Sequence, residues 1–317
     1  MSKPKKSSRA KVLLIYGGGV PGLTKEKFSS LLVDMPELSI VADIESKFLF
    51  AEASTDITPT IWIDLAKEIG LNMNRYQGFV VLHGIDNALY TSSAISFLLQ
   101  NLSKPIIFTG PQNFKANRQP GTQTGDQALR ANIVNAVQAA TQPFGQVGLL
   151  YGNSLWQANR AELVAEASGP FRSDVELGRI DFSLRLPENF KAASGNLRTY
   201  HKLESRVEVV NIYPGVDYFR LEKRLSELAG GVLIVDSREN LPSELEKIIK
   251  KVSGAIVLFA PGVNLSVSAT NVSVVNNMTL PATVTKLMWL LAQGYKPKQI
   301  PSLMERSLVG EVNEVIT

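Results

Sequence analysis

Three short segments of this sequence place glycine and polar residues directly after apolar runs. They are Gly17–Gly22, His83–Asn87 and Thr109–Asn113. Gly17, Gly19 and Gly22 match the spacing of a loop that binds the phosphates of a dinucleotide. However, Pro21 removes one amide donor from such a loop, and no acidic residue ends a second strand at the expected distance. A nucleotide site is therefore the weaker interpretation of the first segment.

Few residues of this chain are candidates for nucleophilic or metal chemistry. Thr24 and Lys25 follow the first segment, and a threonine hydroxyl becomes a useful nucleophile only when a base lies beside it. Adjacent residues usually point apart, so this pair is a weak candidate. The sequence has no cysteine and only two histidines, His83 and His201, which are far apart. Thiolate chemistry is excluded, and we expect neither a metal site nor a cofactor.

The apolar runs predict the framework that positions these segments. Short apolar runs alternate with amphipathic stretches, which indicates a parallel sheet covered by helices on both faces. The predicted strands are Val12–Tyr16, Phe79–Leu82, Ile106–Phe108 and Val147–Tyr151, and the predicted helices are Ile61–Ile69, Ala88–Asn101 and Ala128–Ala140. In such sheets ligands bind beyond the carboxyl ends of the strands, which is where all three segments begin.

The second half of the chain predicts a smaller α/β unit. Residues 187–205 are polar and irregular, which is typical of a linker. The predicted elements beyond them are the strands Val207–Tyr213, Gly231–Val235 and Ala255–Phe259 and the helix Leu280–Gly294. We therefore expect a two-domain α/β protein, with a larger parallel-sheet domain over residues 11–186 and a smaller domain over 206–317.

Composition and charge narrow the class of protein. Of the 317 residues, 44% are hydrophobic and 20% charged, which suits packed domains. The net charge is +4, and residues 1–10 are basic without an acidic neighbour. Such a start fits a nucleic-acid or membrane arm or a disordered, solubilising terminus, and we favour the terminus. No apolar stretch is long enough for a membrane span or a signal peptide. We therefore expect a cytoplasmic protein with neither nucleic acid nor membrane as partner.

Taken together, the loops resemble those of one enzyme family. The matched segments are Tyr16–Gly22, Gly78–Asn87, Lys104–Gln112, Leu149–Asn153, Ile212–Gly215 and Ala282–Leu287. In order and spacing they are similar to the bacterial type I (cytoplasmic) L-asparaginases, and the resemblance extends over nearly the whole chain, from residue 11 to residue 313. Several matched segments in one order are more specific than any single motif.

This resemblance implies a two-domain α/β enzyme that hydrolyses the side-chain amide of asparagine. In the family, a threonine of the first glycine loop attacks the amide, and a threonine, an aspartate and a lysine activate a nucleophile by relaying its proton. The resemblance also implies a homodimer or tetramer, because family sites form where the first domain meets the second domain of a neighbouring subunit. It implies an amino-acid-like small molecule as ligand.

A residue-by-residue match removes most of that chemistry. The first family loop reads Tyr–Thr–Gly–Gly–Thr–Ile–Gly, and Val20 takes the place of its nucleophile. The second reads His–Gly–Thr–Asp–Thr; here Asp86 is kept, but Ile85 replaces the preceding threonine. Leu163 takes the place of the lysine. Since these three aliphatic side chains cannot hold or move a proton, the chain resembles a degenerate member of the family.

The substrate-holding residues match better. The family's Ser–Ser–Asp–Met–Thr–Pro appears here as Ser54–Pro59. The residues that the resemblance implies for ligand binding are Ser54, Thr55, Gly84 and Asp86. An alternative is that Thr58 caps a helix that begins at Pro59, and that Asp86 caps the helix after it.

Two further segments depart from the family pattern. The stretch between the first glycine loop and Ser54 is several residues shorter than the family's, which holds a flexible lid there. In the second domain, Val235–Asn240 lacks the expected glycine-rich turn.

These observations favour one function and leave two others open. The favoured hypothesis is an asparaginase-family pseudoenzyme without L-asparagine amidohydrolase activity, which binds a small amino-acid-like ligand or serves as a regulatory subunit. The first alternative is an active amidohydrolase that uses the displaced residues Thr24, Lys25 and Asp86. The second is a structural subunit whose exposed apolar surface binds a partner.

Overall fold

The computed structural model describes residues 9–53, 56–111, 123–166, 169–181, 183–186, 196–236 and 240–313. The chain forms two compact units, Met1–Thr199 and Tyr200–Thr317. Their division falls inside the stretch 187–205 that the sequence indicates as a linker, of which residues 187–195 lie outside the described residues. Residues 1–8 of the basic start also lie outside them. The predicted domain boundaries themselves stay predictions.

The first unit contains most of the regular structure. Its strands are β1 (Lys11–Tyr16), β2 (Asp43–Phe48), β3 (Gly78–Leu82), β4 (Leu99–Gln100), β5 (Ile106–Thr109), β6 (Val147–Tyr151), β7 (Ser154–Gln157), β8 (Ala161–Glu166), β9 (Gly169–Ser173), β10 (Glu176–Ile180), β11 (Leu184–Arg185) and β12 (Arg198–Thr199). Its helices are α1 (Lys25–Val33), α2 (Leu38–Val41), α3 (Pro59–Asn72), α4 (Ala88–Leu98) and α5 (Gln123–Ala140).

Eight of these strands form one sheet in the order β11-β10-β7-β6-β5-β3-β1-β2. The predicted strands β1, β3, β5 and β6 are parallel, as expected, and β2, which was not predicted, pairs parallel with β1. Every residue of β3, β5 and β6 is buried. The strands β7, β10 and β11 are antiparallel, so the sheet is mixed and not wholly parallel. The reversal begins at the two-residue hairpin Gly152–Asn153, where Gly152 has a φ of 61°. So short a connection can join only antiparallel strands.

The helices of the first unit follow the predicted periodicity with one correction. The predicted helices Ile61–Ile69 and Ala128–Ala140 lie within α3 and α5. The helix predicted over Ala88–Asn101 ends at Leu98, because Leu99 and Gln100 form β4 and pair antiparallel with β12. Asn101 then has a φ of 57°, which ends any continuation of the helix.

The second unit is a smaller α/β fold around its own core. Its elements are β13 (Val207–Ile212), α6 (Tyr218–Glu227), β14 (Gly230–Val235), α7 (Ser243–Lys251), β15 (Ala255–Phe259), β16 (Val272–Val275), α8 (Leu280–Ala292) and α9 (Ile300–Glu305). The four strands are parallel in the order β13-β14-β15-β16, which confirms the predicted class. The helix predicted to reach Gly294 ends at Ala292, and Gly294 has a φ of 85°, the conformation that glycine supplies after a helix.

Among the helices of the described residues, none is long and apolar enough to cross a membrane.

Candidate functional site

The sheet order brings the first two glycine segments together. Because β1 and β3 are neighbours, the loops that follow them meet at the carboxyl edge of the sheet. The Gly17 amide donates to the Leu82 carbonyl at 2.9 Å, and the Gly84 amide donates to the Gly18 carbonyl at 2.9 Å. The third segment begins beside them, since the His83 amide donates to the Thr109 carbonyl at 2.9 Å. The three segments therefore begin at one edge of the sheet, and a ligand site at this edge stays a prediction.

Glycine is required in the first loop for steric and conformational reasons. A Cβ atom on Gly17 would lie 2.9 Å from Cγ1 of Val81, which is too close for two carbon atoms. Gly18 and Gly19 have φ values of 87° and 85°, where other residues are strained. The glycines thus fix the path of the loop and do not depend on a bound phosphate.

Val20 is held in this loop by its backbone. Its amide donates to the Tyr16 hydroxyl at 3.2 Å, and the same hydroxyl donates to the Val20 carbonyl at 3.1 Å. Burial raises the pKa of Tyr16, so this hydroxyl stays protonated and acts as a structural link. The half-buried Val20 side chain packs against the hydrophobic core. No part of this arrangement requires a hydroxyl at position 20.

The second loop contains a buried histidine and an exposed carboxylate. Nδ1 of His83 lies 2.6 Å from the Gly84 carbonyl, which can only accept, so Nδ1 carries the proton. Burial lowers the pKa of His83 to about 4, and Nε2 has no hydrogen-bond partner within the part of the chain that the structure describes. Ile85 is half-buried and Asp86 is exposed. The N-cap of α4 is Asn87, so the alternative that Asp86 caps this helix is wrong.

Leu163 lies on a different element from Val20 and Ile85. It belongs to β8, which forms a two-stranded antiparallel sheet with β9, and it faces Phe171 directly. Phe171 packs edge-on against Tyr151 at a ring-centroid distance of 4.9 Å, at the carboxyl end of β6. The side chain of Leu163 is 53% exposed. Sequence reasoning missed this hairpin, although Gly169–Pro170 is a dipeptide typical of turns.

A cavity of about 530 Å³ lies beside the β8–β9 hairpin. Its lining includes the aromatic residues Trp156 and Phe171 and the basic residues Arg172 and Arg179. Arg179 is paired with Glu176 at 2.9 Å, so part of its charge is already neutralised.

The displaced candidates Thr24 and Lys25 lie at the start of α1. Thr24 is the N-cap, and its hydroxyl accepts a hydrogen bond from the Lys27 amide at 3.3 Å. The pKa of Glu26 is lowered by its own backbone amide and by the Thr24 hydroxyl, which donates to the carboxylate. Thr24 and Lys25 are both exposed. Only Leu23 and Thr24 separate Gly22 from α1, which leaves no length for a lid at this point.

The predicted ligand-binding segment is only partly described. Ser54 and Thr55 lie outside the described residues. Helix α3 begins at Pro59 with Thr58 as N-cap residue, as the alternative predicts, but the Thr58 side chain makes no capping hydrogen bond. The Gly84 amide is engaged by Gly18, so Gly84 contributes to the shape of the loop. Among the described residues, no group of three or more His, Asp or Glu could hold a metal ion.

Comparison with known proteins identifies a family and several relatives of this chain. The family model "Asparaginase, N-terminal" matches residues 11–179. L-asparaginase 1 of Escherichia coli K12 is 29% identical over 283 residues, which cover 82% of this chain and 81% of that protein. One subunit of the glutamyl-tRNA(Gln) amidotransferase of Pyrococcus furiosus is 26% identical over 324 residues, which cover 93% of this chain and 72% of that protein.

Solved structures agree over almost the whole chain. The crystal structure of L-asparaginase I from Vibrio cholerae has a TM-score of 0.82 and 26% identity, and it covers 97% of this chain and 100% of that chain. The L-asparaginase of Thermococcus kodakarensis has a TM-score of 0.80 at 21% identity, which supports the fold.

Proposed function

Because the chain belongs to the asparaginase family, we propose that it is a member without L-asparagine amidohydrolase activity that binds a small amino-acid-like ligand or serves as a regulatory subunit. The observation that carries this proposal is Val20. The Tyr16 hydroxyl binds both the amide and the carbonyl of Val20. The Val20 side chain offers no hydroxyl where the family places the nucleophile.

The proton relay of the family lacks two of its three groups as well, and only the aspartate, Asp86, is kept. Ile85 is aliphatic in the second loop, and Leu163 is aliphatic on β8. Removing the nucleophile from a well-studied hydrolase costs a factor on the order of 10⁶ in rate. Since two of the three relay groups are missing too, covalent catalysis by the family mechanism is not expected. The exposed Asp86, with Ser54, Thr55 and Gly84, is left as a candidate cradle for the charged ends of an amino acid.

An active amidohydrolase that uses Thr24, Lys25 and Asp86 is the alternative. The capping role of Thr24 argues against it, because the hydroxyl already accepts from the Lys27 amide and donates to Glu26. Thr24 is also exposed, whereas activated nucleophiles work best where water is excluded.

We further propose that the protein is a cytoplasmic homodimer or tetramer, as the family resemblance implies.

The first test is ammonia release from L-asparagine and L-glutamine by three purified proteins. These are the unmodified chain, a Val20→Thr/Ile85→Thr/Leu163→Lys variant, and a matched Val20→Ala/Ile85→Ala/Leu163→Met variant that restores no hydroxyl or amine. We expect no turnover from the unmodified chain or the matched variant. Turnover by the unmodified chain would overturn the proposal, and its loss in a Thr24→Ala variant would establish the alternative.

Ligand binding needs its own measurement. Isothermal titration with L-asparagine and L-aspartate tests whether the cradle still works, with Asp86→Asn as the disrupting variant. We expect binding by the unmodified chain and at least a tenfold weaker affinity in Asp86→Asn, since a charge-assisted contact contributes about 1.5–3 kcal/mol. Equal affinities would show that Asp86 takes no part in the cradle.

A further inference from the structure

The outer edge of β2 is open. Within the described part of the chain, the large sheet ends at β2, and no strand pairs with its outer side. The Asp43 amide donates inward to Ala10, and the Leu49 amide donates inward to Tyr16. Because the direction of backbone groups alternates along a strand, the amides of Ile44, Ser46 and Phe48 face outward. An open edge of this kind is a template for another strand.

Charged side chains usually block such edges, but those of β2 have opposite signs. Glu45 and Lys47 are two residues apart, so they lie on the same face of the strand. They are 51% and 46% exposed. Ile44 and Phe48 lie on the other face and are half-buried. Glu45 and Lys47 lie on either side of Ser46. Two antiparallel copies of this segment can therefore place each glutamate opposite the lysine of the other copy.

We propose that β2 pairs antiparallel with β2 of a second copy of this chain, about a two-fold axis at Ser46. In this register Ser46 faces Ser46, Glu45 of each copy faces Lys47 of the other, and Ile44 faces Phe48. The outward residues then form the hydrogen-bonded pairs, as an antiparallel ladder requires. Opposite charges and apolar pairs at facing positions each stabilise a ladder.

The other two-fold registers are disfavoured by charge or geometry. An axis at Ile44 places Asp43 opposite Glu45, and axes at Glu45 or Lys47 place each residue opposite itself. Like charges at facing positions are destabilising. An axis between two residues would oppose an outward-facing residue to an inward-facing one, which breaks the hydrogen-bond pattern. An axis at Phe48 leaves the first half of β2 unpaired.

A groove beside β2 supplies apolar surface for such an interface. It has a volume of about 550 Å³, and Asp43, Ile44 and Ser46 of β2 form one wall. The other wall includes Leu32 and Val33 of α1 and Leu38 of α2. Val33 is 80% exposed, and Ile40 on α2 is 78% exposed. This surface matters because a six-residue strand pair alone falls short of the area of about 1,000 Å² that a stable interface needs.

The charged residues of β2 also have partners within their own chain. Lys47 lies 2.6 Å from Glu68, and Glu45 lies 3.4 Å from Arg75. The Tyr76 hydroxyl donates to Glu45 at 2.5 Å. These contacts keep both charged side chains on one face of β2. The inference does not depend on whether the chain turns over asparagine.

Charge reversal tests the register through the mass of the assembly, measured by light scattering after size exclusion. Lys47→Glu places a second glutamate opposite Glu45, and Glu45→Lys places a second lysine opposite Lys47, so each single variant should have half the mass of the unmodified assembly. Mixing the two variants should restore the mass, because each supplies the charges that the other needs. Glu68→Gln is the control; it removes an internal partner of Lys47 and should leave the mass unchanged. Single variants that keep the full mass would overturn the proposal.

A disulfide trap tests the axis independently. The chain has no cysteine, so Ser46→Cys introduces a single thiol. In a hydrogen-bonded antiparallel pair the facing Cα atoms are about 5.5 Å apart, which a disulfide can span. Mild oxidation at low micromolar concentration should yield a covalent dimer of Ser46→Cys and none of Ser226→Cys, whose serine is exposed on α6 of the second unit. Equal cross-linking of both variants, or of neither, would contradict the proposed axis.

Discussion

Two regions of this chain treat polar side chains in opposite ways. In the second unit, Lys286 of α8 and Glu311 are both fully buried, with Nζ 2.6 Å from Oε1. Nζ also donates to the carbonyls of Met304 and Arg306, and Glu311 accepts from the amides of Leu308 and Val309. In the first unit, Val20 and Ile85 at the carboxyl edge of the sheet and Leu163 on β8 occupy the positions that the family resemblance implies for catalysis.

The difference separates polar groups that the fold needs from those that only a reaction needs. The Lys286–Glu311 pair fixes the segment after α9 against α8, so removing either charge leaves the other buried. Burial lowers the pKa of Lys286, and Glu311 beside it opposes that change. In the first unit, glycines and backbone hydrogen bonds determine the loop path. An aliphatic residue at position 20 therefore leaves that path intact.

The largest effect should come from Lys286→Met. This change leaves Glu311 as a buried charge without its cation, which costs about 3–5 kcal/mol in the free energy of unfolding. Urea unfolding can be followed through Trp289, which lies on α8, in a Trp62→Phe/Trp156→Phe background. The matched control is Lys251→Met, whose exposed pair with Glu222 contributes less than about 1 kcal/mol. Equal losses in both variants would show that the buried pair stabilises the second unit no more than an exposed pair does.

The next largest effect on stability should come from His83. It sharpens the comparison between the two regions because it is a polar group in the first unit that the loop itself needs. Its pKa is lowered from 6.5 to about 4 in the folded chain, so the unfolded chain binds a proton more readily between these values. Stability from this group is full above pH 6.5 and is lost as the pH falls toward 4, by about 3 kcal/mol in total.

Urea unfolding between pH 7.5 and pH 4 measures this dependence. Carboxylates also titrate in this range, so the test is the difference between the unmodified chain and His83→Asn, which should lack the histidine component. His201→Asn changes the other, exposed histidine and should follow the unmodified profile. A His83→Asn profile that parallels the unmodified one would show that His83 titrates normally.

Removing the hydroxyl that holds Val20 should have a moderate effect. Tyr16→Phe leaves the amide and the carbonyl of Val20 without their partner. Each lost hydrogen bond costs about 0.5–1.5 kcal/mol, so we expect a loss of about 1–3 kcal/mol in the free energy of unfolding. The control is Tyr213→Phe, since Tyr213 is 57% exposed and its change should be close to neutral. A neutral Tyr16→Phe would mean that the loop path has other support.

The sequence predicted the parts of this fold that local pattern determines. Buried parallel strands appear as apolar runs, which is why β1, β3, β5 and β6 were predicted within a residue or two. The edge strand β2 was missed because its sequence, Asp–Ile–Glu–Ser–Lys–Phe, is not an apolar run. Only one edge of this strand is paired, and most of its side chains are exposed. The contact of Gly84 with Gly18 depends on pairing between distant segments, which one sequence does not display. The hairpin that holds Leu163 is local, and its turn signal was overlooked.

The smallest expected effect is the strongest test of the comparison. Val20→Thr replaces one methyl group with a hydroxyl at a half-buried side chain and leaves the backbone contacts with Tyr16 unchanged. The added hydroxyl must find a partner or water at the loop surface, so we expect a loss below about 1 kcal/mol in the free energy of unfolding. Val80→Thr is the matched control, because Val80 is fully buried in β3 and an unpartnered hydroxyl there costs about 1–3 kcal/mol. If Val20→Thr were as costly as Val80→Thr, the valine would belong to the core that the fold requires. A small loss in the free energy of unfolding for Val20→Thr would instead show that this position can carry or lose a nucleophile without destabilising the fold.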